Sequence, residues 1–123
     1  MLKRLVVIGM LGLALPGCGE KERATPPDDA LVFQARDALA AGDKPKALDL
    51  YTQAIEIRGT SWAYFERGRL KGEMSDPKGA MEDCVKGLEI DPENRDLIWL
   101  RDELKKPKAS QFQPGAVPPS RKK

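Results

Sequence analysis

Two stretches decide the fold: GDKPKALDLYTQAIEI, residues 42–57, and SDPKGAMEDCVKGLEI, residues 75–90. Laid over one another at a constant offset of 33 residues, Asp43 meets Asp76, Ala47 meets Ala80, and Leu48 meets Met81. Further along, Tyr51 meets Cys84, Ile55 meets Leu88, Glu56 meets Glu89 and Ile57 meets Ile90. Each stretch reads as an amphipathic helix. The first carries Ala47, Leu48, Leu50, Tyr51, Ala54 and Ile55 on one broad stripe, the second Ala80, Met81, Cys84, Val85 and Leu88. Asp43 and Asp76 suit the N-cap, and Pro77 suits the first helical position.

Working outward, three more helices are expected. Leu31, Ala35, Ala38 and Leu39 share one face of a helix that ends at Ala41-Gly42, with Gly42 suited to a left-handed C-terminal residue. After a turn at Arg58-Gly59-Thr60-Ser61, a third helix runs from about Trp62 to Met74. Asp91-Pro92-Glu93 reads as the start signal of a fifth, with Leu97, Leu100, Arg101 and Leu104 on one face. No stretch alternates with a period of two, so the chain is expected to be all-α. Gly79 and Gly87 inside the fourth helix are each expected to cost about 0.5–1 kcal/mol relative to alanine.

A repeat of this period marks stacked helix pairs. Here the residues resemble the tetratricopeptide (TPR) repeat. Ala35 and Gly68 stand at that family's small position in the first helix of a repeat, Ala47 and Ala80 at the small position of the second. Tyr51 stands at its aromatic position, Ala54 at the next small one, and Pro92 closes the ending Leu88-Glu89-Ile90-Asp91-Pro92. Departures are Gln34 and Arg67 for leucine, Ala38 and Lys71 for tyrosine, and Gly87 for alanine. The resemblance covers residues 28–106 and implies a short α-solenoid: about two helix-turn-helix repeats and a C-terminal capping helix. Such a stack generally needs three or more repeats for stability, so a bound partner or a second copy would strengthen it.

The 123-residue chain fits one domain. Residues 28–106 hold 17 acids and 13 bases, whereas 107–123 hold Lys108, Arg121, Lys122 and Lys123 and no acid. An acidic body argues against a nucleic-acid partner. Pro107, Pro114, Pro118 and Pro119 lead us to expect a disordered or extended basic tail over 107–123.

At the other end, Met1-Leu2-Lys3-Arg4 precedes an apolar run from Leu5 to Leu15, followed by Pro16-Gly17-Cys18-Gly19. A bilayer crossing needs about 20 apolar residues, so this shorter run reads as the core of a secretory signal. Leu15, Gly17 and Cys18 resemble the lipobox of bacterial lipoproteins, although Pro16 departs from it. The resemblance implies cleavage after residue 17, a lipid on Cys18 as membrane anchor, a tether over 18–27, and residence at the outer membrane facing the periplasm. Cleavage after Ala14 by ordinary signal peptidase is the alternative. With Cys18 lipidated, Cys84 would lack a disulfide partner.

Catalytic machinery is not legible. The chain has no histidine, no phosphate loop and no calcium loop. Cys84 lies in an apolar stripe, which favours a core residue over a nucleophile. The adjacent pairs Glu82/Asp83 and Asp102/Glu103 read as solvated surface charge. No enzyme, cofactor or metal is expected. In the TPR family the first helix of each repeat lines a peptide-binding groove. Carried onto this chain, that groove would hold Val32, Arg36, Leu39, Trp62, Phe65, Arg69, Asp96 and Trp99, with Trp62 and Trp99 alternatively serving as core. The function implied is an interaction adaptor for another envelope protein. A lipid-anchored spacer or self-associating subunit is the other reading.

Overall fold

The computed structural model describes residues 24–123. They form five α-helices: α1 (Pro27–Ala40), α2 (Lys44–Ile57), α3 (Ser61–Glu73), α4 (Pro77–Ile90) and α5 (Arg95–Leu104). Two short 3-10 turns follow, at Lys108–Ser110 and Pro119–Arg121. There is no strand among the described residues. Helix α1 packs along α2 and α3 along α4; α2 then meets α3, and α5 lies against both α3 and α4. This is a short α-solenoid of two helix pairs closed by one more helix. No helix among the described residues is long and apolar enough to cross a membrane.

The two hairpin turns have the same hydrogen bonds. After α1, Gly42 N–H donates to Leu39 O at 2.9 Å and Asp43 N–H to Ala38 O at 2.8 Å. After α3, Ser75 N–H donates to Gly72 O at 3.2 Å and Asp76 N–H to Lys71 O at 2.8 Å. Both are Schellman motifs, which satisfy the free carbonyls at a helix end. The aspartate that completes each motif also caps the next helix, accepting from Lys46 N–H at 3.1 Å or Gly79 N–H at 3.0 Å. A helix end and a helix start are thereby fused into a turn of three residues. The motif requires a left-handed residue, and here the repeats differ: Gly42 has φ 80°, but its counterpart is Ser75 at φ 64°.

Helix α5 starts later than the Asp91-Pro92-Glu93 signal predicts. Asn94 is its cap, accepting from Asp96 N–H at 3.1 Å and Leu97 N–H at 3.0 Å. The proline sits instead in the turn between α4 and α5. One carboxamide serving two free N–H groups settles the register in favour of Asn94.

The core has two parts. Val32, Ala35, Ala47, Tyr51, Ala54 and Leu70 pack in the first, and Phe65, Ala80, Cys84, Leu97 and Leu100 in the second. The glycines of α4 are structural. A Cβ on Gly87 would lie 2.6 Å from Leu97 Cδ1, so α5 seats its leucine where an alanine would obstruct it.

Asp83 and Glu103 are not surface charges, contrary to the reading of their adjacent pairs. Asp83 is 1% exposed and Glu103 2%. Asp83 receives Arg67 in a two-pronged pair, Nε to Oδ2 at 2.9 Å and Nη2 to Oδ1 at 2.7 Å, with Lys71 Nζ 3.5 Å from Oδ2. Adjacent residues on a helix point about 100° apart, so one of a pair can be wet while the other faces a neighbouring helix.

Residues 107–123 fold back on the domain, where the sequence reading expects a disordered or extended tail. Gln111 Nε2 donates to Leu104 O at 3.1 Å, a free carbonyl at the end of α5, and to Lys106 O at 2.8 Å just beyond it. Phe112 N–H donates to buried Glu103 Oε1 at 2.8 Å, and Pro118 is fully buried. The prolines alone favour extended backbone, but the segment turns at 108–112, 114–115 and 119–121 to meet the buried partners beneath it.

Replacing Ser75 with glycine removes the left-handed strain and is expected to raise stability by about 1 kcal/mol, roughly 5 °C in melting temperature. Calorimetry checks it. Asp83→Ala strands the Arg67 guanidinium and is expected to cost about 3–5 kcal/mol by denaturant titration, while Arg67→Met with Asp83→Leu recovers most of that loss.

Candidate functional site

The first helices of the pairs, α1 and α3, together with α5, frame the face on which a groove is expected. Between α1 and α3 lies a cleft of about 290 Å³ lined by Arg36, Leu39, Lys44, Glu66, Arg69, Leu70, Glu73 and Arg121. Three of the residues carried over by resemblance, Arg36, Leu39 and Arg69, come together here. Arg69 is turned toward its own helix, with Nε 3.1 Å from Glu73 Oε1. Among the described residues Arg36 and Lys44 form no ion pair.

Asp96 and Trp99 lie on α5 under the returning segment. Asp96 Oδ1 accepts from Ser120 N–H at 2.9 Å, and the Trp99 ring meets Phe112 edge-on, centroids 6.4 Å apart. Trp62 packs against the first core and meets half-exposed Phe33 edge-on at 5.5 Å, a step apart from the cleft.

Val32 and Phe65 are core residues and not groove residues. Val32 is 1% exposed and Phe65 2%. Val32 stands three residues before Ala35, on the stripe that faces α2, and Phe65 is covered because α5 docks Leu97 and Leu100 beside it. Projecting a family's groove by position ignores where a capping helix lands.

Sequence reasoning missed the residues that carry most of the site's polarity. Glu66, 5% exposed, accepts from Arg121 Nη2 at 2.6 Å, across 55 residues of sequence. Below it the Tyr51 hydroxyl is buried without a hydrogen-bond partner. Burial first, and the nearby Glu66 carboxylate second, push its ionisation far above the ordinary phenol value. The available signals were faint: one aromatic in a proline-rich stretch, and one arginine near its end.

Cys84 is buried and unpaired, and burial, with a smaller contribution from Asp83, pushes its thiol up to about 12. Ionisation is thus disfavoured in the folded state. The stabilising effect is whole below the unfolded value near 9 and is lost as pH rises from there toward 12. No group of three or more potential metal ligands occurs among the described residues. Cys18 lies outside the described residues.

The chain matches no protein-family model and no solved structure. Over 68 residues, 55% of this chain, it is 33% identical to sperm-associated antigen 1 of Mus musculus, of which the match spans 8%. That likeness covers only a small piece of a much longer protein. The five-helix structure itself fits a TPR-like helical repeat.

In a Cys18→Ser chain, a thiol reagent at pH 8 is expected to leave Cys84 unmodified in the native state and to label it fully in denaturant. Stoichiometric labelling of the folded protein within a minute contradicts the buried assignment.

Proposed function

We propose that this chain is a non-enzymatic adaptor: a TPR-like domain that docks an extended segment of another protein on the face framed by α1, α3 and α5. The observation that carries the reading is that this face accommodates an irregular peptide segment, residues 111–121, through side chains of α3 and α5. Such a surface recognises backbone and side chains together, which is how helical repeats hold extended ligands.

The adaptor works at a bacterial cell envelope in this proposal, tethered to the outer membrane by lipid on Cys18 and facing the periplasm. The supports are the basic start, the short apolar run and the Leu15 to Cys18 pattern. Its partner is then another envelope protein, with no nucleic acid, cofactor or metal involved. Two or more acyl chains on one cysteine give firm anchoring.

A second reading, a self-associating structural subunit, draws on the outer face of α4. There half-exposed Val85 and Met81 form a shallow apolar patch flanked by Lys78, Lys86, Glu82 and Glu89. Sedimentation over a hundredfold concentration range separates the two, because a self-associating subunit changes mass and an adaptor does not.

Palmitate labelling in a bacterial host is expected for the wild type and lost in Cys18→Ser. A photo-crosslinking side chain in place of exposed Arg36 or Lys44 is expected to trap another envelope protein, while the same probe in place of Glu82 on α4 does not. Crosslinks from position 82 alone overturn the groove reading.

A further inference from the structure

Glu66 poses a physical problem that the rest of α3 does not solve. A carboxylate 5% exposed has lost nearly all its water, and a buried charge is tolerated only with a partner. Its cation in the structure is Arg121, whose Nη2 is 2.6 Å away. Three more contacts hold the same segment. The Phe112 ring lies against Trp99 and Leu104, and it occupies the space beside Gly72, where an added Cβ would come within 2.8 Å of Phe112 Cζ. Pro118 is fully buried, and Ser120 N–H donates to Asp96. An aromatic, a proline, a backbone N–H and an arginine are therefore read in order along one irregular, turn-containing segment.

The geometry points to a ligand chemistry for this face: an irregular, proline-containing basic segment with an aromatic anchor and an arginine that enters the Glu66 site. Residues 107–123 are the resident occupant, and a partner's segment of the same chemistry takes their place. This deepens the adaptor reading and rests on it. Whatever displaces the segment must restore a cation to Glu66, or leave that charge buried and unpaired. Charge acts in the same direction at long range, since the body over 28–106 holds 17 acids and 13 bases. An acidic ligand drawn by Arg36 and Lys44 is the rival, and it would place its charge beside Glu66 and Glu73, which line the same cleft.

A segment tethered in this way competes at an effective concentration in the millimolar range, so a free ligand is seen only when the resident one is loosened. The test uses the full chain and a fluorescent peptide of residues 107–123, followed by polarisation. Chains carrying Phe112→Ala with Arg121→Ala, or Arg121→Glu alone should the double variant fold poorly, are expected to bind the peptide at least tenfold more tightly than wild type. Adding Glu66→Gln to the loosened chain is expected to lower affinity at least tenfold, and a peptide with Arg121→Glu is expected to lose binding. Absence of peptide binding by a folded, loosened chain overturns the proposal. So does equal binding of a peptide with the same residues in scrambled order, or tighter binding of a polyglutamate peptide. Crosslinking from position 36 that persists after such a failure leaves the adaptor reading standing, and only the ligand chemistry falls.

Discussion

The closeness of α3 to α4 at Gly68 governs the rest of the structure. A Cβ added there would stand 3.1 Å from Asp83 Cβ, 3.3 Å from Ala80 O and 3.3 Å from Leu100 Cδ2. Three elements meet at a residue with no side chain. In the first pair the corresponding crossing is made by Ala35 and Ala47, both fully buried. Helix axes usually lie about 8–10 Å apart depending on the side chains between them, and small residues bring the backbones to the near end of that range. At that distance Arg67, next to Gly68, reaches Asp83 on α4 with both prongs, and Nη1 also approaches Thr52 on α2 at 3.4 Å. One guanidinium thus joins three helices.

Buried acids recur across the molecule, each answered by a base, and for three of the four that base comes from another part of the chain. Asp28 at the start of α1 pairs with Arg58 beyond α2, Asp83 with Arg67, Glu103 with Lys106, and Glu66 with Arg121. Ion pairs of this kind add little net stability, because desolvation offsets most of the attraction. They do penalise wrong arrangements, since a misplaced element leaves a charge in the core. That explains how few apolar residues can hold five helices in one register. The first two pairs fix the repeats, while Glu103 and Glu66 fix the course of residues 107–123, Glu103 by accepting Phe112 N–H.

The helices were legible in the sequence because their signals are local. The aspartate caps and the left-handed Gly42 concern residues within a few positions of one another, and the offset of 33 simply repeats such a local pattern. Even Ser75 could have been found, since the alignment sets it opposite Gly42; serine simply gives no hint of its φ of 64°. The site was less legible, because each of its facts depends on what lands on a helix from far along the chain. Val32 and Phe65 were assigned to the groove by position, and the docking of α2 and α5 buried them. Asp83 and Glu103 looked wet because their neighbours Glu82 and Asp102 are wet. Arg36, Leu39 and Arg69 do meet, since they project from two parallel stripes that no further helix covers.

A stack of two helix pairs has apolar surface at its open ends, and most solenoids answer with more repeats. Here α5 seats Leu97 in the space above Gly87, and Phe112 then covers Trp99 and Leu104 on α5 itself. The segment after α5 therefore does the work that a further helix does elsewhere. It does so with unequal strength along its length. Near α5 it holds two carbonyls at and beyond that helix's end through Gln111 and a buried carboxylate through Phe112, whose left-handed φ of 50° is uncommon for an aromatic and is maintained by that packing. Toward Arg121 it rests on buried Pro118, one backbone donor and one ion pair, with exposed residues at 113–115 and 122–123. Local opening free energy follows such contact density. The far part is therefore the first to leave the face, and the Phe112 part, which covers Trp99 and Leu104, follows only where a segment of the same kind takes its place.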